Sequence, residues 1–153
     1  MKQASNANKA PALVSSQEEQ QVARIVLQHI NTCPSLPAGA VRYEHLGAGD
    51  HAMAFHIEQS AFKIERYIAG GYRAELRFSL YYRIQPGDSG LARIEADEAL
   101  GVIGDWLFEN PPVLGGRLHT VRLEITRRAA AKTAWDNGDE DHTILLRLLY
   151  DFI

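Results

Sequence analysis

The chain has 153 residues, 16 basic and 19 acidic side chains and a formal net charge of −3; 46% of it is hydrophobic and 23% charged. That length suits one domain with a sizeable core, and that balance is ordinary for a globular protein. The composition excludes a global basic field that would draw the chain to nucleic acid, no run of 18 apolar residues could cross a membrane, and the first 15 residues lack the apolar stretch of a secretory signal.

Residues 1–14 are rich in Ala, Asn and Lys without periodicity and are expected to form a flexible tail, with residues 15–153 as the single folded unit. Ser16-Gln17-Glu18-Glu19 fits a capping box, in which serine and glutamate satisfy free backbone donors, and so starts a first helix at Ser16. Val22, Ile25, Val26, His29, Ile30 and Cys33 follow at helical spacing, and Pro34 is expected to stop the helix. Cys33 is the only cysteine; it cannot form an internal disulfide or contribute to a cysteine pair for zinc, and its place at the end of an apolar stripe reads as a small buried hydrophobe. A reducing compartment is the simple reading. Val41–Leu46, Met53–Ile57 and Phe62–Tyr67 read as short strands, with turns at Gly47-Ala48-Gly49-Asp50 and at Gly70-Gly71, where positive φ costs little.

Residues 72–84 alternate without a break. Tyr72, Ala74, Leu76, Phe78, Leu80, Tyr82 and Ile84 share one face; Arg73, Glu75, Arg77, Ser79, Tyr81 and Arg83 share the other. At about 3.3 Å per residue this strand runs roughly 40 Å, a length more typical of proteins that hold a shape or pair with neighbours than of small enzymes.

Pro86–Gly90 breaks the sheet, and Asp88 or Ser89 caps a second helix with an apolar stripe of Leu91, Ile94, Ala99, Leu100, Ile103, Trp106 and Leu107. Gly101 and Gly104 each lower helix propensity by about 1 kcal/mol, which close helix–sheet packing would explain. Pro111-Pro112 ends the helix. Val121, Leu123 and Ile125 mark another strand, residues 127–142 read as a long charged loop, and a last strand from Thr143 to Phe152 is apolar on both faces, as a central strand would be. The expected fold is α+β: an antiparallel (mixed) sheet of about 5–6 strands with two main helices packed on it.

Several strings resemble catalytic or ligand motifs and fail on context. Gly87-Asp88-Ser89-Gly90 matches the stretch around a serine-protease nucleophile but has no base to go with it, and a turn plus a helix cap explains it. Gly47–Ala52 mimics a dinucleotide glycine pattern but leads into a strand rather than a helix. Asp136, Asp139, Glu140 and Asp141 lack EF-hand spacing and read as a solvated acidic turn. His29 reads as a satisfied core histidine, His51 and His56 fall on opposite strand faces, and Glu95, Asp97, Glu98 and Asp105 spread around a helix into solvent. No catalytic, cofactor or metal site is expected. Arg73, Arg77 and Arg83, with Tyr81 among them, are read either as a solvated face or as a contact surface for a partner subunit.

Gly70–Phe78, Glu95–Leu107 and Asn137–Asp141 before the final strand resemble the minor capsid proteins of tailed phages and prophages of Gram-positive bacteria, a family similar in fold to phage tail terminators. The resemblance spans roughly residues 15–153. It implies a non-enzymatic structural protein of the virion neck or tail, present in the host cytoplasm during assembly. Most specifically it implies a tail terminator, which caps the tail tube as a homo-oligomeric ring, usually a hexamer, and offers the head-docking surface. The implied partners are its own copies, the tail tube protein and head–tail connector proteins; genome DNA passes through the ring without sequence-specific binding, and no membrane is involved. Under this reading the 127–142 loop contacts a neighbouring subunit or the tube, with Arg127, Arg128, Lys132 and Trp135 as anchors. The alternatives are another head–tail joining protein, connector or stopper, and a small ligand-binding domain or enzyme.

Overall fold

Alternation along residues 72–84 produces the strand around which the sheet is organised. The computed structural model describes residues 12–37, 39–44, 46 and 51–153. Its elements are α1 (Ser16–Ile30), β1 (Arg42–Tyr43), β2 (Ala52–Arg66), β3 (Tyr72–Ile84), α2 (Gly90–Glu109), β4 (Leu118–Ala134) and β5 (Glu140–Phe152). The fold is α+β. One five-stranded sheet has the order β1-β2-β3-β5-β4; β1 runs parallel to β2, and every other neighbouring pair is antiparallel. The last strand in sequence is therefore interior, between β3 and β4; its face away from the helices mixes Leu145 and Leu149 with Asp141, Arg147 and Asp151.

Ala74, Leu76, Phe78, Leu80, Tyr82 and Ile84 of β3 are buried, and Ile144, Leu146, Leu148 and Tyr150 of β5 join them. Val22, Val26 and Ile30 of α1 and Leu100, Ile103 and Leu107 of α2 close the same core. The rings of Phe55 and Phe78 stack across β2 and β3 at 5.0 Å. Cys33 is buried in this core. Gly104 faces Ile144 and Ile125, so close that an added Cβ would meet them at 2.7 and 3.0 Å; around Gly101 there is open space. Close packing thus accounts for one of the two helix glycines. Leu91 and Ile94, expected on the buried stripe of α2, are exposed.

The first helix begins at Ser16 as expected, but its capping serine is the preceding one. Ser15 is the cap, and its Oγ accepts from the backbone N–H of Glu18 at 3.1 Å. The helix ends at Ile30, before Pro34, because Asn31 turns to bind both backbone groups of Val41. Ser89 caps α2, accepting from the Ala92 N–H at 3.1 Å. Gly70 and Gly71 turn β2 into β3 at φ 95° and 85°.

Three boundaries differ from expectation. Met53–Ile57 and Phe62–Arg66 are parts of one strand, β2, whose register shifts at three bulges bend it without ending it, and Tyr67 lies just past its end. Of the stretch expected as a strand at Val41–Leu46, only Arg42 and Tyr43 pair with the sheet. Residues 12–14, expected within the tail, lie along β2: Val14 donates to the Ala61 carbonyl at 3.0 Å, and Lys63 donates to the Ala12 carbonyl at 2.7 Å. Residues 1–11 and the Gly47–Asp50 turn lie outside the described residues.

Glu18 does not complete the capping box. Its carboxylate accepts from the Tyr72 hydroxyl and, at 2.8 Å, from the Tyr150 hydroxyl, joining α1 to β3 and β5. Burial first and this carboxylate second push both phenols above their ordinary pKa. Tyr150 is fully buried. Glu18→Ala leaves its hydroxyl unpaired and is expected to destabilise the fold by about 1–3 kcal/mol, whereas Glu18→Gln, which keeps a partner for each phenol, loses less. Urea titration of the two variants measures the difference.

Candidate assembly interface

Both helices pack on one face of the sheet; the other face carries no covering element among the described residues. It is closed instead by its own side chains. Arg73 sits opposite Asp151 and bonds it through Nε at 2.9 Å and Nη2 at 3.2 Å. At the far end of β3, Arg83 sits opposite Asp141 and bonds it at 2.7 and 3.0 Å. Between these, Arg77 faces Arg147 directly, a like-charge pair that alone would be unfavourable. Glu75 offsets it, bonding both guanidinium groups although it is only 3% exposed. Glu124 of β4 takes the other side of Arg147 at 2.6–2.7 Å and binds Arg122 at 3.1 Å. Ser79, fully buried, donates to Glu58 at 2.5 Å. The face is an ion-pair ladder across β3, β5 and β4, so the arginines of β3 are held in place rather than free in solvent.

The segment expected as a loop at 127–142 is a hairpin. β4 continues through Arg127, Arg128 and Lys132 to Ala134, and β5 starts at Glu140. The tip closes between them: Trp135 donates to the Asp139 carbonyl at 2.7 Å, and Gly138 takes φ 93°. The acidic run is not a solvated turn. Asp139, Glu140 and Asp141 are buried. Asp139 accepts from Gln85 at 2.7 Å, Glu140 from Arg93 at 3.0 and 3.1 Å, and Asp141 from Arg83 and from the Trp135 indole at 2.9 Å. His142, buried beside them, places one ring nitrogen 2.7 Å from Asp97 and the other 2.7 Å from Glu140, tying α2 to β5. His29 is satisfied as expected, its Nε2 lying 2.5 Å from the Asn110 carbonyl oxygen and its ring stacked on Trp106, but it is half-buried at the edge of the helix layer rather than in the core.

The structure brings Arg83, Lys132 and Trp135 together at the hairpin end of the sheet. Arg83 lies over the Trp135 ring at 5.7 Å, and Lys132 binds the Tyr81 hydroxyl and sits 4.9 Å from its ring centre. Trp135 remains half exposed. Arg127 and Arg128 are exposed on β4 and make no ion pair among the described residues. Arg73 is at the opposite end and Arg77 in the middle. Sequence reasoning missed Glu75, Glu124, Arg147 and Asp141; the cross-strand register that joins them is invisible until strand order is known.

Sheet order also decides the edges. On one side, β1 and residues 12–14 lie against β2. On the other, β4 has no strand partner on its outer edge among the described residues, over 17 residues. Open edges that long are templates for pairing, and β4 carries the devices that restrain indiscriminate pairing: bulges and cationic side chains.

Three carboxylates in these networks are held below their ordinary pKa. For Asp151 the Arg73 bond is the main cause. For Glu124 and Glu140 burial opposes ionisation, but Arg122 and Arg147, and His142 and Arg93, outweigh it. Lowered folded values mean stability that is present above the unfolded values of about 4 and is lost as pH falls through the folded ones. The melting temperature is therefore expected to be level from pH 7 to about 5 and to fall steadily below that; a level melting curve down to pH 3 would contradict these pairings.

No protein-family model matches the sequence, and no curated protein matches it. Among solved structures, the fold is similar to a chain of the virion of a native gene transfer agent particle, at 18% identity, over 90% of this chain and 98% of that chain, with a TM-score of 0.62. A second solved chain, 21% identical over 92% of this chain and 97% of its own, has a TM-score of 0.46, too low to carry an argument. The likeness to the virion chain is one of fold.

Proposed function

We propose that this chain is a structural subunit of a phage-like virion, and within it the tail terminator, a ring that caps the tail tube and receives the head. The observation that carries the reading is the end-to-end fold likeness to a chain of a gene transfer agent virion. The molecule's own features suit assembly. One sheet edge is open among the described residues, the hairpin tip is stiffened by Arg83 and Asp141, and Trp135 is presented half exposed. An aromatic side chain held in place by hydrogen bonds loses little conformational freedom on binding, which favours contact there. Arg73, Arg77, Arg83, Arg127, Arg128, Lys132 and Trp135 are the proposed contact residues toward neighbouring copies, the tube and the connector.

Co-expression with the tail tube protein of the same particle tests the role. A terminator leaves tubes of uniform length, each closed at one end by a ring containing this chain. Tubes that grow without limit and carry none of it would contradict the terminator role; binding to the head-side connector without any tube would make it a connector or stopper instead.

A further inference from the structure

The solvent face of α2 is unusual for an exposed helix. Leu91, Ile94 and Val102 are exposed at 66, 57 and 49%, and Phe108 at 58%. Glu95, Glu98, Asp105 and Glu109 lie among them, all exposed and without an ion pair among the described residues. Residues 91, 95, 98, 102, 105 and 109 recur at three- and four-residue intervals, so they form one stripe, opposite the buried Ala96, Leu100, Ile103 and Leu107. An acidic stripe interrupted by Leu91 and Val102 and flanked by Ile94 and Phe108 is a binding face for something basic with apolar area of its own.

The same chain carries such a surface. Arg127, Arg128 and Lys132 follow one another along β4 toward the hairpin tip, where Trp135 is exposed. Arg127 pairs in register with Leu145, which lies between the core residues Ile144 and Leu146 and so points to the bare face of the sheet. α2 lies on the other face, packed on β4, β5 and β3. The acidic stripe and the basic segment therefore look in different directions and do not satisfy each other within one molecule.

We propose that they bind each other between copies: the α2 stripe of one subunit receives the Arg127–Trp135 segment of the next. Charge sign then sets the symmetry. A two-fold contact through α2 would oppose carboxylate to carboxylate, and one through β4 would oppose arginine to arginine. Only the unlike pairing is favourable, so the contact is head-to-tail, which closes into a ring when the rotation per subunit permits. This deepens the ring reading above and rests on it.

Two exposed charge-reversed variants test the pairing. Arg127→Glu with Arg128→Glu makes the β4 segment acidic; Glu95→Lys, Glu98→Lys and Asp105→Lys together make the α2 stripe basic. Sedimentation equilibrium at low salt measures self-association, and circular dichroism melts verify that each variant is folded. Each variant alone is expected to weaken association roughly 100-fold or more, since like charges now meet. An equal mixture of the two is expected to recover it, because each supplies the face the other lacks, and a chain with all five changes is expected to do the same. Wild-type rings whose variants assemble equally well, or variants that fail and are not rescued by mixing, would overturn the pairing and leave the ring reading standing. Wild-type protein that stays monomeric with and without tube protein would overturn both.

Discussion

Gly71→Ala is expected to destabilise the fold by about 2–5 kcal/mol. Gly71 sits at φ 85°, and a Cβ there would lie 2.2 Å from the Phe152 carbonyl oxygen and 3.2 Å from its carbon. The left-handed conformation alone costs an L-residue about 1–2 kcal/mol. Displacing a neighbouring backbone adds roughly 1–3 kcal/mol, because no side chain can swing aside to relieve it. The displaced segment matters: Phe152 stacks on Tyr72 at 5.0 Å, and Arg117 lies 4.5 Å above the Phe152 ring. Gly70→Ala is the control. It shares the positive φ, 95°, but a Cβ there meets open space, so only the conformational cost applies. Urea unfolding of both variants should separate them by at least about 1 kcal/mol; equal losses would mean that the contact between the β2–β3 turn and the end of β5 is not tight.

Asp141→Ala is expected to cost about 3 kcal/mol and to loosen the hairpin tip. Asp141 accepts from both Arg83 nitrogens and from the Trp135 indole, and its side chain is 4% exposed. Removing it leaves Arg83, itself only 16% exposed, without its main partner, which is costlier than losing a surface pair. It also releases Trp135, so the fluorescence of that residue should shift to the red and become more accessible to acrylamide. Asp136→Ala, at an exposed position one residue beyond the tip tryptophan, should stay within about 0.5 kcal/mol of wild type. If both variants behave alike, the buried acids do not organise the tip. If the proposed contact between copies is correct, Asp141→Ala also weakens assembly, through a residue that need not touch the neighbour.

The parts of the fold legible in the sequence are those where one physical signal dominates. Unbroken alternation placed β3 at residues 72–84, with its buried face correct, and apolar residues on both faces marked β5 as central. The cap at Ser89 and the close packing at Gly104 followed from local chemistry. The second half of β4 was not legible. Arg127–Ala134 shows no alternation, because two register shifts interrupt it and its inward side is made only of alanines, and its charge density looks like a loop. The acids at 139–141 looked solvated because their partners are distant in sequence: Arg83 and Gln85 meet them through the β3–β5 register, and Arg93 through the packing of α2 on the sheet. Ser15 and Ser16 offer equivalent caps; Ser15 wins, and Glu18, which a capping box would have turned back to the helix end, reaches Tyr72 and Tyr150 instead. For the candidate interface, the residue types at Arg127, Arg128, Lys132 and Trp135 were readable, while the α2 stripe was not: Leu91 and Ile94 were read as core because their spacing fits either face of a helix.

The most direct test of the account is the solution mass of the wild-type chain by light scattering across concentration, with negative-stain images of the largest species. Closed rings with a central hole are expected, of six copies for a tail terminator, forming alone or on addition of tube protein. A strict monomer at every concentration, unchanged by tube protein, would contradict it.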